Sequence, residues 1–281
     1  MHSKTSFDKN QLSEIIVSAI SNQGLVNDKI RETLRKERGD KKIVVLAAAP
    51  KTGSTFLLNT LSSLTGYICT RLSAAYATNE HDLYLPALCL HNKDGCVSQM
   101  HMKGTFHNAH YLNVFDITPI ILVRDIFDII ISLKKDLRAK EKLPYFDLGL
   151  NGYSFLWQDK ATKKLDSEQF IDLIIDLAIP WYINFYVSWY RLCEQKIINT
   201  KWVTYEELFS DKEKVLRDIM RFLGFGEIGT IDKNILSKKY STYNSDKNRE
   251  TSRSLLTDLQ IEKVYDYTSH YKDIDFSKFG L

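Results

Sequence analysis

Apolar residues recur along this chain at two periods, and the switches between them mark its elements. Leu12, Ile15, Ile16, Ala19 and Ile20 fall at helical spacing, so residues 1–40 are expected to form a helical N-terminal extension. "KKIVVLAAA" is apolar throughout and too short for a helix, which predicts a strand buried on both faces. From Ser54 the helical period returns, with Phe56, Leu57, Thr60, Leu61 and Leu64 on one side. "GYICTRL", "GCVSQMHM" and "ITPIILVRD" read as further strands, and "IFDIIISLKKDL" as the helix after the last of them. A loop-rich segment with Pro144, Gly149 and Gly152 occupies 140–165. A long helical region starts at Asp166, and "IINTKWVTYEEL" places a strand before Tyr205. An amphipathic helix runs from Lys212 to a stop at Gly224, and a last helix from Leu255 to His270.

Strands alternating with helices predict an α/β fold. A central, mainly parallel sheet is flanked by helices on both faces, in one domain over 1–281. Such sheets bind ligands beyond the carboxyl ends of their strands. There the candidate chemistry gathers, at Lys51 to Thr55, His101 and Arg124.

Composition narrows the field only a little. The 281 residues are 44% hydrophobic and 26% charged, ordinary for a globular protein. A net charge of +3 gives no case for nucleic acid as a partner. The four cysteines show no CxxC pair, so no metal is expected, and buried reduced thiols in a reducing compartment are. The most apolar stretch, from Phe170, is long enough to span a bilayer. It carries Asp172 and Asp176, at about +2.5 to +3.5 kcal/mol each near a membrane centre, and Pro180 interrupts it. A buried core helix fits better, and with no signal peptide at the N-terminus the expectation is a soluble, cytoplasmic protein without membrane contact.

"PKTGSTFL" joins the first strand to its helix. Backbone N–H groups at a helix start bind anions, glycine lets a phosphate approach, and Lys51, Ser54 and Thr55 add charge and hydroxyls. A plain strand-to-helix turn also fits these residues. The ATP-hydrolysing loop is GxxxxGK[ST]; here the lysine precedes the glycine, which argues against an ATPase. In "IILVRDIFDIIISL", Arg124 stands at a strand end and Ser132 about two turns into the next helix. They could grip a second phosphate, or Arg124 could simply pair with Asp128.

Together "PKTGSTFL" and "VRDIFDIIISL" resemble the nucleotide signature of the sulfotransferases that use 3′-phosphoadenosine 5′-phosphosulfate (PAPS). "PWYINFYVSWY", "VTYEEL" and "RFLGF" extend the likeness from Lys42 to the C-terminus, closest to soluble bacterial members. The resemblance implies a P-loop NTPase-like sulfotransferase fold, with PAPS as cosubstrate, PAP as product and no metal. It implies that Lys51, Thr52, Gly53, Ser54 and Thr55 hold the 5′-phosphosulfate, and that Arg124 and Ser132 hold the 3′-phosphate. Ser132 is also implied to keep Lys51 turned toward the 3′-phosphate until an acceptor binds. Tyr205 matches a tyrosine that approaches the adenine, while Trp202 reads as core. The family's late Arg-Lys-Gly stretch is missing; "SDKNRETSR" offers Lys247, Arg249 and Arg253 in its place, or is a solvated basic loop.

Moving a sulfuryl group requires a base for the acceptor's proton, and a histidine suits that near neutral pH. His101 ends the strand "CVSQMHM", where the family places its histidine; His107 and His110 are rivals on the following helix, and Lys103 could serve instead. The acceptor pocket is expected from the lid at 140–165, with Tyr145, Phe146, Tyr153, Phe155 and Trp157, although aromatics can equally tack down a loop. Glu80, His81 and Asp82 suit a cationic or hydroxyl-rich acceptor, or a polar helix start. A small-molecule acceptor is expected, sulfated on a hydroxyl or on an amine or carbamoyl nitrogen. Two other classes stay open: a kinase-like phosphotransferase, and a nucleotide-binding protein without catalysis.

Overall fold

A computed structural model describes residues 28–74, 80–143, 153–237 and 252–281. Four parallel strands form its sheet: β1 (Ile43–Ala48), β2 (Cys96–Met100), β3 (Ile120–Val123) and β4 (Lys201–Thr204), in the order β2-β1-β3-β4. The apolar run of β1 is buried at every position because both faces are covered. Val45 and Ala47 join Ile121 and Val123 in one core cluster, whereas Val44, Leu46 and Ala48 join Ile120 and Leu122 in the other. Alternate side chains of a strand point to opposite faces, so one apolar run feeds two cores.

The helices are α1 (Asp28–Arg38), α2 (Ser54–Thr65), α3 (Leu85–His91), α4 (Phe106–Val114) and α5 (Ile126–Lys140). After them come α6 (Ser167–Leu177), α7 (Ile179–Glu194), α8 (Tyr205–Ser210), α9 (Lys212–Phe222), α10 (Lys233–Ser237) and α11 (Asp258–Thr268). The periodicity at Leu12–Ile20 lies outside the described residues.

Three expectations need correction. The strand in "GYICTRL" reduces to a single parallel bridge, Cys69 with Val97. Ile68 and Cys69 face solvent there, so little apolar area holds the segment to the sheet. Cys69 is accordingly not the buried thiol expected of it, although Cys89 and Cys96 are buried. The long helical region is two helices, because Pro180 stands in the first turn of α7 and cannot continue α6.

Ser167–Glu194 is long and apolar enough to cross a membrane, yet 61% of its most apolar window is buried inside the fold. Its aspartates are partnered within the fold. Asp172 accepts from Gln260 Nε2 at 2.7 Å, and Asp176 pairs with Lys263, both partners on α11.

Helix α7 matters most for the site. Trp181, Tyr182, Phe185, Tyr186 and Trp189 on it are buried. Trp189 Nε1 donates to Met102 O at 3.0 Å, and Gly104 N donates to Ser188 Oγ at 2.8 Å. A Cβ at Gly104 would meet the Ser188 backbone at 2.9 Å, so the segment after β2 lies directly on the helix.

Candidate active site

The register aligns the four strand ends in a row. Ala47 pairs with Met100, Ala48 with Leu122 and Val123 with Thr204. The residues that follow therefore lie side by side: His101 after β2, the Pro50–Gly53 loop after β1, Arg124 after β3 and Tyr205 after β4.

The loop turns sharply. Lys51 and Gly53 both have positive φ, at 68° and 82°. A non-glycine residue there carries strain of order 1 kcal/mol and persists only when its surroundings fix it. Here Tyr182 OH donates to Pro50 O at 3.1 Å, Arg124 Nη1 to Lys51 O at 3.2 Å, and Thr52 Oγ1 to Ala49 O at 2.7 Å. Thr52 is thus fully buried and closes the turn with its hydroxyl. Gly53 is the N-cap of α2 and supplies no side-chain cap, so the first N–H groups and the positive helix end remain for an anion. Ser54 is buried behind them and Thr55 is exposed.

Arg124 is 8% exposed. Its Nη2 meets Asp128 Oδ2 at 3.1 Å and its guanidinium lies 4.1 Å from the centre of the Tyr205 ring. Its Nε is buried with no hydrogen-bond partner. The Arg124–Asp128 pair weighed from sequence exists, but it leaves a donor unspent beside the loop. Tyr205 also packs against Phe209, with ring centres 4.3 Å apart, and a Cβ at Gly53 would come within 3.0 Å of both rings.

Asp128, Ser132 and Asp136 are spaced four apart along one stripe of α5, and its far end reaches the loop through Asp136. Lys51 Nζ lies 3.1 Å from Asp136 Oδ1. Asp136 Oδ2 meets Lys140 Nζ at 3.0 Å and accepts from Tyr153 OH at 2.8 Å. Burial pushes the Asp136 carboxyl up, but Lys51 and Lys140, with the Tyr153 hydroxyl, outweigh it and hold the group below its ordinary value. Burial, then the Asp136 charge, push Tyr153 well above its ordinary value, so its hydroxyl stays a donor. Asp136 escaped the sequence reading. Its place on the stripe was legible there; its partner, 85 positions upstream, was not.

His101 Nδ1 lies 2.6 Å from Ala48 O. A carbonyl only accepts, so Nδ1 carries the proton and Nε2 keeps its lone pair. The Gln99 amide lies 3.3 Å from that Nε2. On the other side, His101 N–H donates to His81 Nδ1 at 3.0 Å, and the two rings stack at 5.5 Å. The ring keeps some open surface yet is enclosed by protein, and burial above all pushes it down to about 4. At neutral pH it is an uncharged base. His107 is committed elsewhere, its Nε2 3.1 Å from Leu83 O. Burial lowers His110 as well, and its Nε2 has no partner.

On the far side of His101, Lys103 Nζ pairs with Glu80 Oε1 at 2.6 Å, and Trp181 Nε1 donates to Glu80 Oε2 at 2.8 Å. Phe155 packs on Trp181 and Tyr182, with centres 5.2 and 5.6 Å away, and Tyr153 stacks on Phe155 at 5.0 Å. Trp157 is 61% exposed. Arg253 lies over the Phe127 ring at 4.7 Å, near the start of α5, and its Nη2 donates to Tyr265 OH at 2.9 Å. Tyr145, Phe146, Lys247 and Arg249 lie outside the described residues. Among the described residues, no group of three His, Cys, Asp or Glu could hold a metal ion.

A model of the sulfotransferase domain matches residues 41–270. The chain belongs to the sulfotransferase family. Among solved structures it is similar to mouse sulfotransferase SULT7A1, determined in complex with PAP, at 14% identity and a TM-score of 0.54. That match covers 90% of this chain and 92% of the other, and speaks for a shared sulfotransferase fold. No curated protein matches the sequence. The α/β architecture expected from the sequence is the one this family uses.

Proposed function

We propose that this sulfotransferase draws on PAPS and sulfates a small-molecule acceptor, on a hydroxyl or on an amine or carbamoyl nitrogen, with His101 as the base. One observation carries the choice of nucleotide. A buried arginine nitrogen without a partner stands on the strand next to an uncapped helix start, so the chain offers two anion grips a strand apart. A nucleotide with phosphate groups at both its 3′ and 5′ positions fits both. Arg124, Ser132 and Arg253 are the candidates for the 3′ end, with Lys247 and Arg249. Lys51 to Thr55 serve the 5′ end, and Tyr205 the adenine.

PAPS supplies the sulfuryl group, carried on its 5′-phosphate. The loop's N–H groups bind the anion and cost no reorganisation, because the turn is already fixed by Tyr182, Thr52 and Arg124. Lys51 brings positive charge to the leaving side. His101 Nε2 takes the acceptor's proton as the acceptor attacks, while the Ala48 carbonyl holds the ring in that tautomer. The acceptor oxygen or nitrogen must replace the Gln99 amide at Nε2. Lys103, His107, Phe155 and Trp157 are candidates for the acceptor wall, with Tyr145.

Calorimetry with PAP, and separately with ATP plus magnesium, tests the reading. Tight, metal-independent PAP binding supports it; preference for ATP with magnesium points instead to a kinase-like phosphotransferase. A panel of hydroxyl- and amine-bearing acceptors incubated with PAPS, read by mass spectrometry for the gain of one SO₃, separates a working enzyme from a non-catalytic binding protein.

A further inference from the structure

The main chain of His101 is held by a second histidine. β2 is the edge of the sheet, so the N–H and C=O groups on its outer side need partners from elsewhere in the chain. At Val97 backbone meets that need. Val97 N–H donates to Ile68 O at 2.9 Å, and Val97 O accepts from Thr70 N–H at 3.0 Å. Four residues on, one step past the last β1–β2 pair, the arrangement changes. His101 O still accepts from backbone, the N–H of His81, at 3.0 Å. But His101 N–H donates to a ring nitrogen, His81 Nδ1, also at 3.0 Å.

We propose that His81 is a positioning residue for the base: its Nδ1 fixes the His101 main chain, and its ring backs the imidazole. This rests on reading His101 as the base. Three features carry it. First, His101 is held from two different segments, its ring by Ala48 O of β1 and its N–H by His81, and the two rings stack at 5.5 Å with their planes 25° apart.

Second, His81 is itself fixed. It is 4% exposed, and buried Asn108 ties the segment that carries it to the one that carries His101. The Asn108 amide accepts from Leu83 N–H at 2.9 Å and donates to Asp82 Oδ1 and to Lys103 O, each at 2.9 Å.

Third, accepting fixes a tautomer. A ring nitrogen that accepts carries no proton, so His81 is neutral with its proton on Nε2. The two neighbouring rings thus hold opposite tautomers, since His101 is protonated at Nδ1. A cationic His81 would have no nitrogen left to accept with, and would set a positive charge against the ring that must take a proton.

The test compares His81→Asn with His81→Leu. The two side chains are close in size and both remove the ring, but the Asn amide oxygen stands where Nδ1 stood and can accept from His101 N–H. Turnover is read as PAP formed from PAPS with the same acceptor panel, and PAP affinity by calorimetry. His81→Leu should lower kcat about 10- to 100-fold, as expected when a reacting group is displaced by ~1 Å, with PAP affinity within about twofold of the wild type. His81→Asn should recover most of that loss, to within about threefold of the wild type. Equal losses in the two variants overturn the proposal. So does a fall in kcat matched by a fall in PAP affinity, which reports general damage to the fold. If His81→Leu does not fold, the wild type decides. With 15N-labelled histidine, long-range 1H–15N correlation near neutral pH should show His81 Nδ1 unprotonated and Nε2 protonated. The reverse tautomer, or a doubly protonated ring, overturns it. A His101→Ala variant that turns over like the wild type removes the reading of the base itself, whereas an inactive His101→Ala beside equal losses in His81→Asn and His81→Leu removes this inference alone.

Discussion

Acidification should destabilise the protein through its buried histidines, and above all through His101. Burial is the largest cause of its fall from 6.5 to about 4; the Ala48 carbonyl pulls the other way, and His81 and Arg71 add to the fall. In the unfolded chain the ring takes a proton near pH 6.5. Between that value and about 4, the unfolded state binds a proton that the folded state refuses, so stability rises with pH across this window and is lost as pH falls. Above pH 7 the ring contributes nothing, being neutral in both states. With those two values the loss at pH 5 comes to about 2 kcal/mol. At an m-value of ~3 kcal/mol/M, that lowers the urea midpoint by roughly 0.7 M. The perturbation is His101→Gln, which keeps a donor for Ala48 O and does not titrate. Unfolding followed by tryptophan fluorescence near neutral pH and near pH 5 gives a drop in midpoint for each protein. The wild type should drop by about 0.7 M more than the variant. Other groups that titrate in this range act on both proteins and cancel in the difference. Equal drops would refute a ring kept neutral by its surroundings.

Three further outcomes are expected. His101→Ala should lower turnover by ~10²–10⁴-fold with PAP affinity retained, measured by steady-state kinetics alongside calorimetry. Arg124→Ala should weaken PAP binding by roughly 10- to 100-fold, the weight of a hydrogen bond from a buried charged group, before it alters the chemical step. Gly104→Ala should lower stability by about 1–3 kcal/mol, seen as a fall in thermal midpoint, because the added methyl meets the Ser188 backbone, which cannot swing aside, as well as the Leu192 side chain.

The sequence by itself determined the architecture, because a strand covered on both faces needs an unbroken apolar run and β1 and β3 are such runs. It also determined the turn from β1 into α2, since a positive-φ glycine just before a helix is a local requirement that local residues express. Arg124 and His101 were legible for the same reason: each follows directly on an apolar strand. What only the tertiary structure decided is the partnership of these groups. Lys51 meets Asp136 across 85 positions, Tyr182 reaches Pro50 across 132, and Trp181 reaches Glu80 across 101. No short-range period encodes such pairs; they exist because α5 and α7 are laid against the strand ends by the packing of their apolar faces. The protonation of His101 belongs with them. Its sequence neighbours leave it an ordinary histidine, and enclosure by residues from β1 and from the segment around His81 makes it a neutral base.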